Sequence, residues 1–229
     1  MNIKILQLIE GAKQATGVAV IIDVFRAFSV EAYIANNGAK YIIPIGQKEL
    51  AYKLKEENKD YVLIGERHGI KLPGFDYGNS PSQIENSDFR GKTIVHTTSA
   101  GTQGIDNAKN ASVILSGSLV NAKAIAKYIK QNKYQDVSLV CMGIEGTMEA
   151  AEDTLCAEYI ESLLNGKDFD LSSKIEALKL TTGAKFFDKS LQEVFPERDF
   201  YLSTDANKFD FVLKLVHGKN FDYMKKIKI

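Results

Sequence analysis

VAVIID, residues 18–23, sets five apolar side chains in unbroken succession and closes them with a carboxylate. A strand with one wet face would alternate apolar and polar residues. An uninterrupted run predicts a strand buried on both faces, as parallel strands lying between helices are. Outward from it, residues 25–37 have helical composition and stop at Gly38, a residue suited to the left-handed position after a helix. YIIPI, residues 41–45, predicts a second strand, with Pro44 placing it near an edge or an end. A charged surface helix over 48–58 and a strand over 61–65 follow. Beyond a long segment, 66–91, come strands over 92–97, 112–117 and 136–143, with helices over 119–132 and 148–164. The last sixty residues read as mostly helical, with a turn around 195–198. Strands alternating with helices predict βα units, hence a three-layer αβα sandwich with a largely parallel sheet and a helical C-terminal portion. No short repeat and no linker rich in Gly, Ser or Pro divides the chain, so residues 1–229 read as one α/β domain, mostly helical from about 165.

The composition fits that reading. The 229 residues are 45% hydrophobic and 25% charged, enough for a substantial core without disulfide or metal staples. Lys+Arg and Asp+Glu each number 29, so the net charge of +0 argues against a nucleic-acid partner held by phosphate electrostatics. The longest apolar run, 18–22, is far short of the ~20 residues a membrane helix requires. The start, MNIKILQLIEGAK, lacks the apolar core of a signal peptide. Cys141 and Cys156 sit in no CxxC pair and at no zinc-ligand spacing. These features together predict a cytoplasmic protein.

Ligands of parallel α/β sheets bind beyond the carboxyl ends of the strands, and polar residues collect there. The first strand ends in Asp23, followed by Arg26. The third leads into Glu66-Arg67-His68, and the fourth into TTSAGT, residues 97–102. The sixth leads to Glu145, Glu149, Glu152 and Asp153. Asp23 suits either a helix cap or a ligand role. Phe25 stands where an aspartate-nucleophile phosphatase of the haloacid dehalogenase type needs a second Asp, which excludes that class. The hydroxyls and Gly101 of TTSAGT suit either a capped turn or an anion cradle. GFDYGNSP, residues 74–81, offers Asp76, Asn79 and Ser80 as oxygen donors, or a structural Asx turn. Glu149, Glu152 and Asp153 share one helical face, where they either complement the macrodipole or gather a hard divalent cation. Cys156, one turn on, reads as a buried structural thiol. No Walker P-loop and no GxGxxG occurs. Arg67-His68-Gly69 matches the triplet of histidine phosphatases, which also require a second histidine; only His96 and His217 are available.

Taken together, IIDVFRAFS, GERHGIKLPGFDYGNSP, KTIVHTTSAGT, ILSGSLVNA and GIEGTMEAAEDTLCAEYI resemble the 2-phosphosulfolactate phosphatase family, over roughly residues 18–160. The family pattern at the third block is closer to Thr-Thr-Asn-Gly-Thr; Ser99-Ala100 replaces its Asn, a departure that bears on substrate identity. The resemblance implies a magnesium-dependent phosphoric monoester hydrolase of coenzyme M biosynthesis, converting 2-phosphosulfolactate, or a related small phosphorylated hydroxy acid, to sulfolactate and phosphate. On this reading Asp23, Glu66, Asp76 and Asp153 are the catalytic candidates. Asp23, Asp76 and Glu152 or Asp153 would hold Mg²⁺. Arg26, Arg67, Asn79, Ser80, Thr97, Thr98, Ser99, Gly101 and Thr102 would bind the anionic substrate. A homodimer is compatible with it. Two competing readings are a non-catalytic small-anion-binding module and a histidine-type phosphatase using His68.

Overall fold

The computed structural model describes residues 1–229. Its strands are β1 (Asn2–Gln7), β2 (Gly17–Ile22), β3 (Tyr41–Pro44), β4 (Val62–Arg67), β5 (Ile70–Lys71), β6 (Thr93–Thr97), β7 (Ala111–Gly117), β8 (Asp136–Cys141), β9 (Phe211–His217) and β10 (Asp222–Lys228). Its α-helices are α1 (Leu8–Gln14), α2 (Ala27–Asn36), α3 (Lys48–Glu57), α4 (Pro81–Ile84), α5 (Gly101–Asn107), α6 (Ala122–Gln131), α7 (Ala151–Asn165), α8 (Leu171–Leu178) and α9 (Glu197–Thr204). All ten strands join one sheet in the order β1-β8-β2-β7-β9-β10-β3-β6-β4-β5.

The strand predicted from VAVIID is the hinge of the architecture. Five of the six β2 residues are buried, and successive side chains point to opposite faces. Ala19 and Ile21 enter a core with residues of α1, α2, α4 and α5. Val18, Val20 and Ile22 enter a second core, against α6 and α7. A third, smaller core packs Ala51 of α3 against Ile43, Leu63 and Val95. Helices therefore cover both faces of the sheet, and the three-layer reading holds. α6 shows how the sequence chooses its face: Lys123, Lys127 and Lys130 are exposed, while Ile125, Tyr128 and Ile129 between them are buried.

The sheet has two parallel blocks. β1, β8, β2 and β7 form one; β3, β6 and β4 form the other. Between them lies a β9–β10 hairpin, antiparallel within itself and to β7 and β3. Three successive antiparallel pairings mean that the second block runs opposite to the first. The helical reading of the last sixty residues thus holds through α9 and is corrected beyond it. FVLKLVH and DYMKKIK flank the short turn at 218–221, and β-forming residues on either side of a Gly-containing turn are a hairpin signal.

Candidate active site

Both blocks present their carboxyl ends to one cavity of about 140 Å³. Its walls include Asp23 and Arg26 after β2, Glu66 and His68 from β4 and its turn, Ser99 and Ala100 after β6, and Gly143 and Glu145 after β8. Glu152 and Asp153 enter from the first turn of α7, and Asn79 and Lys185 from segments outside the parallel strands. The polar residues read along the chain as one edge of a single sheet are thus the strand ends of two oppositely running blocks.

The first block supplies buried acids. One oxygen of Asp23 accepts from the N–H of Ala27, the first residue of α2, at 3.1 Å. Burial and the nearby charges of Glu66 and Glu152 nevertheless push its carboxyl up to about 7, with the N–H groups of Ala27 and Gly101 opposing the rise. Gly101 is required here, because a Cβ would lie 2.8 Å from the Ala27 Cβ and 2.9 Å from Asp23 Oδ2. Asp153 joins the ends of two strands: its oxygens accept from Val24 N–H and Gly143 N–H, each at 2.8 Å. Burial, Asp23 and Glu152 hold its pKa well above the ordinary range. Glu152 accepts from the Thr182 hydroxyl, and burial raises its pKa as well. Glu149 precedes α7 and is exposed, so it does not share the cavity face with the other two.

The second block supplies acids and hydroxyls whose bonding is complete. Glu66 accepts from Ser99 N–H at 2.7 Å, Gly69 N–H at 2.7 Å and the Ser99 hydroxyl at 3.2 Å. Thr98 and Thr102 bond each other and each other's backbone. Thr97 accepts from Arg67, whose guanidinium also donates to the carbonyls of Glu66 and Gly46. Arg67, Thr97, Thr98 and Thr102 therefore stitch strand ends together outside the cavity wall, rather than presenting donors to an anion; only Ser99 and Ala100 of that loop line it.

Two more of the sequence candidates lie elsewhere. Asp76 accepts from Leu63 N–H at 2.8 Å and faces Lys55 at 3.6 Å, at the amino end of β4 and away from the other acids. The chain of 75–77 runs alongside β4, and this register carries Asp76 three residues upstream of Glu66. It does not join Asp23 and the α7 pair. Ser80 donates to Asp199 at 2.9 Å. The histidines are dispersed: His68 is exposed and bonds Glu145 at 2.7 Å, His96 is buried against Glu31, and His217 pairs with Asp222 on the hairpin. No two of them meet, which removes the geometry of a histidine phosphatase.

Lys185, which nothing in the sequence had marked, is half-buried on the cavity wall. Burial lowers its pKa, and the charges of Glu152, Asp23 and Asp153 oppose that fall. Arg26 is fixed by a 2.7 Å ion pair to Asp199 and a 2.9 Å bond to the Val194 carbonyl, with its guanidinium 4.9 Å from the Phe195 ring. Both partners are among the least exposed charged side chains of the fold, and the pair ties the 194–199 segment to the start of α2. Asp199 and Phe195 were invisible as site residues, because their relevance comes only from the packing of the C-terminal helices over the cavity.

No three His, Cys, Asp or Glu side chains stand close enough to share one metal ion, so the dispersed carboxylates do not form an all-protein cage. Mg²⁺ rarely uses one: it keeps waters and takes one or two carboxylates plus substrate oxygens. Five acids line the cavity, and Arg26 is already paired. Asp23 and Glu152, buried carboxylates of that wall, are oxygen donors of the kind a cation held in this manner takes.

The family model described as 2-phosphosulpholactate phosphatase matches residues 3–218. A relative from Thermoplasma volcanium is 36% identical over 216 residues, covering 93% of this chain and 97% of the relative. One from Clostridium acetobutylicum is 34% identical, covering 91% and 84%, and one from Bacillus subtilis is 31% identical, covering 86% of each. All three carry the name "Probable 2-phosphosulfolactate phosphatase". No helix is long and apolar enough to cross a membrane.

Proposed function

From the chain's membership of the 2-phosphosulfolactate phosphatase family, a family of phosphoric monoester hydrolases, we propose that it hydrolyses 2-phosphosulfolactate with Mg²⁺, releasing sulfolactate and phosphate. The observation that carries this is the meeting of Asp23, Glu152, Asp153 and Lys185 in one cavity, where burial raises the pKa of those three acids. A pure anion binder would gain nothing from three clustered acids on its wall, which counts against the non-catalytic reading.

In this reading Asp23 and Glu152 hold the ion. When bound, Mg²⁺ neutralises phosphoryl oxygens and lowers the pKa of water. Lys185 faces the phosphoryl group and offsets charge that develops on its oxygens. Asp153 fixes the ends of β2 and β8 through Val24 and Gly143, which sets the position of Asp23. Glu66 fixes the Ser99 turn and the Gly69 turn opposite. A cytoplasmic setting in coenzyme M biosynthesis belongs to the same proposal; it is supported by the family resemblance and by two free, buried thiols.

The test is phosphate release from 2-phosphosulfolactate with Mg²⁺ and with EDTA. Mg²⁺-dependent release is expected. Release that persists unchanged in EDTA would remove the metal from the reading. No release from this or any other small hydroxy-acid phosphate would remove the activity.

A further inference from the structure

A cavity of about 140 Å³ is smaller than the ~300–1,000 Å³ of pockets that enclose a whole small ligand. A second pocket, of about 520 Å³, adjoins it and shares Arg26, Gly69 and Asn79 as wall residues. The outer chamber is built by the segment around β5 and residues 76–83, and closed by Glu193 and Val194. Its ionisable residues besides Arg26 are Lys71, Asp76, Tyr77 and Glu193.

Asn79 stands at the junction. It is 6% exposed, and its Oδ1 is sealed from solvent with no hydrogen-bond partner. Buried polar atoms are nearly always paired, so a carboxamide on a cavity wall with no partner in the protein calls for an explanation. Only the N–H end of an Asn amide donates to an anion; Nδ2 of Asn79 makes no hydrogen bond within the protein and, unlike Oδ1, is not sealed off, so it is the end open to a ligand. Arg26 beside it is only partly used. Nη1 carries the bonds to Asp199 and Val194, whereas Nη2 reaches only the Gly69 carbonyl, at 3.5 Å. A planar fork with a spare edge next to a free carboxamide is suited to a carboxylate or sulfonate.

We propose that the substrate spans both chambers. The phosphoryl group occupies the inner cavity, and a second acidic group, carboxylate or sulfonate, is held at the junction by Asn79 and Nη2 of Arg26. Asn79 is then the residue that selects phosphate esters bearing a second anion over simple alkyl phosphates. This rests on the phosphatase reading and adds to it a second anchoring point.

The test compares Asn79→Ala and Asn79→Asp with the unaltered protein on three esters in Mg²⁺: 2-phospholactate (carboxylate only), 2-sulfoethyl phosphate (sulfonate only) and ethyl phosphate (neither). The expected result is a fall of about tenfold in the ratio of kcat/KM for an acidic ester to that for ethyl phosphate, carried by KM, and a larger fall for Asn79→Asp. Which acidic ester loses more identifies the group that Asn79 reads. Calorimetric binding of sulfolactate reads the same preference without turnover, and Asn79→Asp should weaken it about tenfold. An unchanged ratio together with unchanged sulfolactate binding overturns the proposal. If the unaltered protein releases phosphate neither from 2-phosphosulfolactate nor from any of the esters but still binds sulfolactate in an Asn79-dependent way, the phosphatase reading falls and the anchoring point stands.

Discussion

The strand ends of β2 and β8 and those of β4 and β6 face the same cavity with opposite electrostatic habits. On the first side Asp23, Glu152 and Asp153 are buried together, and burial makes all three hold their protons above the ordinary range. On the second side Glu66 accepts three hydrogen bonds, and Thr97, Thr98 and Thr102 are consumed by their own loop and by Arg67. The same residue types therefore do different work. Where the donors are complete, an acid shapes a turn; where they are not, it is held ready for a ligand that supplies the missing charge.

Substitutions on the two sides should separate along that line. Asp23→Asn should lower phosphate release about 10²–10⁴-fold, while leaving the melting temperature in EDTA unchanged or higher, because a charge that the fold does not neutralise has been removed. Activity retained with a lowered melting temperature would make Asp23 a scaffold residue and erase the contrast. Lys185→Met should cost about 10²-fold in kcat, without the loss of stability expected of a core residue.

Glu66→Ala should act in the other sense. It leaves the Gly69 and Ser99 N–H groups without acceptors and should destabilise by about 1–3 kcal/mol, read by denaturant unfolding. An unaltered unfolding midpoint would show that those turns hold without it.

The pH dependence of stability follows from the first side. The folded protein keeps a proton on Asp23 up to about pH 7, whereas an unfolded aspartate releases it near its ordinary value of about 3.9. Between those values the folded state binds more protons, so stability falls as pH rises through the window. Thermal unfolding in EDTA should show that slope, and Asp23→Asn should flatten it, with Asp153 and Glu152 supplying the remainder. His68→Ala should change activity least, by about twofold, since the exposed bond to Glu145 contributes little. A far larger loss in EDTA-treated protein would revive a histidine mechanism.

The sequence made the parallel blocks legible because their strands are continuous apolar runs, and the acids at strand ends legible because charge after such a run stands out. Asp23, Glu66, Glu152 and Asp153 all reached the cavity. Asp76 was misplaced because its position depends on register: the 75–77 segment lies alongside β4, and no local pattern reports which rung it occupies. Thr97, Thr98 and Thr102 show a second limit, since a hydroxyl free to bind an anion and one spent on its own turn have the same letter. Lys185 and Asp199 carry no local signal at all; they become meaningful only when α9 and the turns before it fold over the cavity. The hairpin has a signal in the turn at Gly218, but the mixture of Lys with apolar residues in 211–228 suits an amphipathic helix as well.

That hairpin has a consequence for synthesis. Both parallel blocks leave the ribosome before the β9–β10 segment that lies between them in the finished sheet. Until it arrives, β7 and β3 each present an open backbone edge, the kind of template on which nascent chains pair wrongly with one another. The catalytic chamber, whose walls come from both blocks, can close only when this late-made wedge slots into the middle, so assembly of the enzyme is timed by a segment that contributes no wall residue to it.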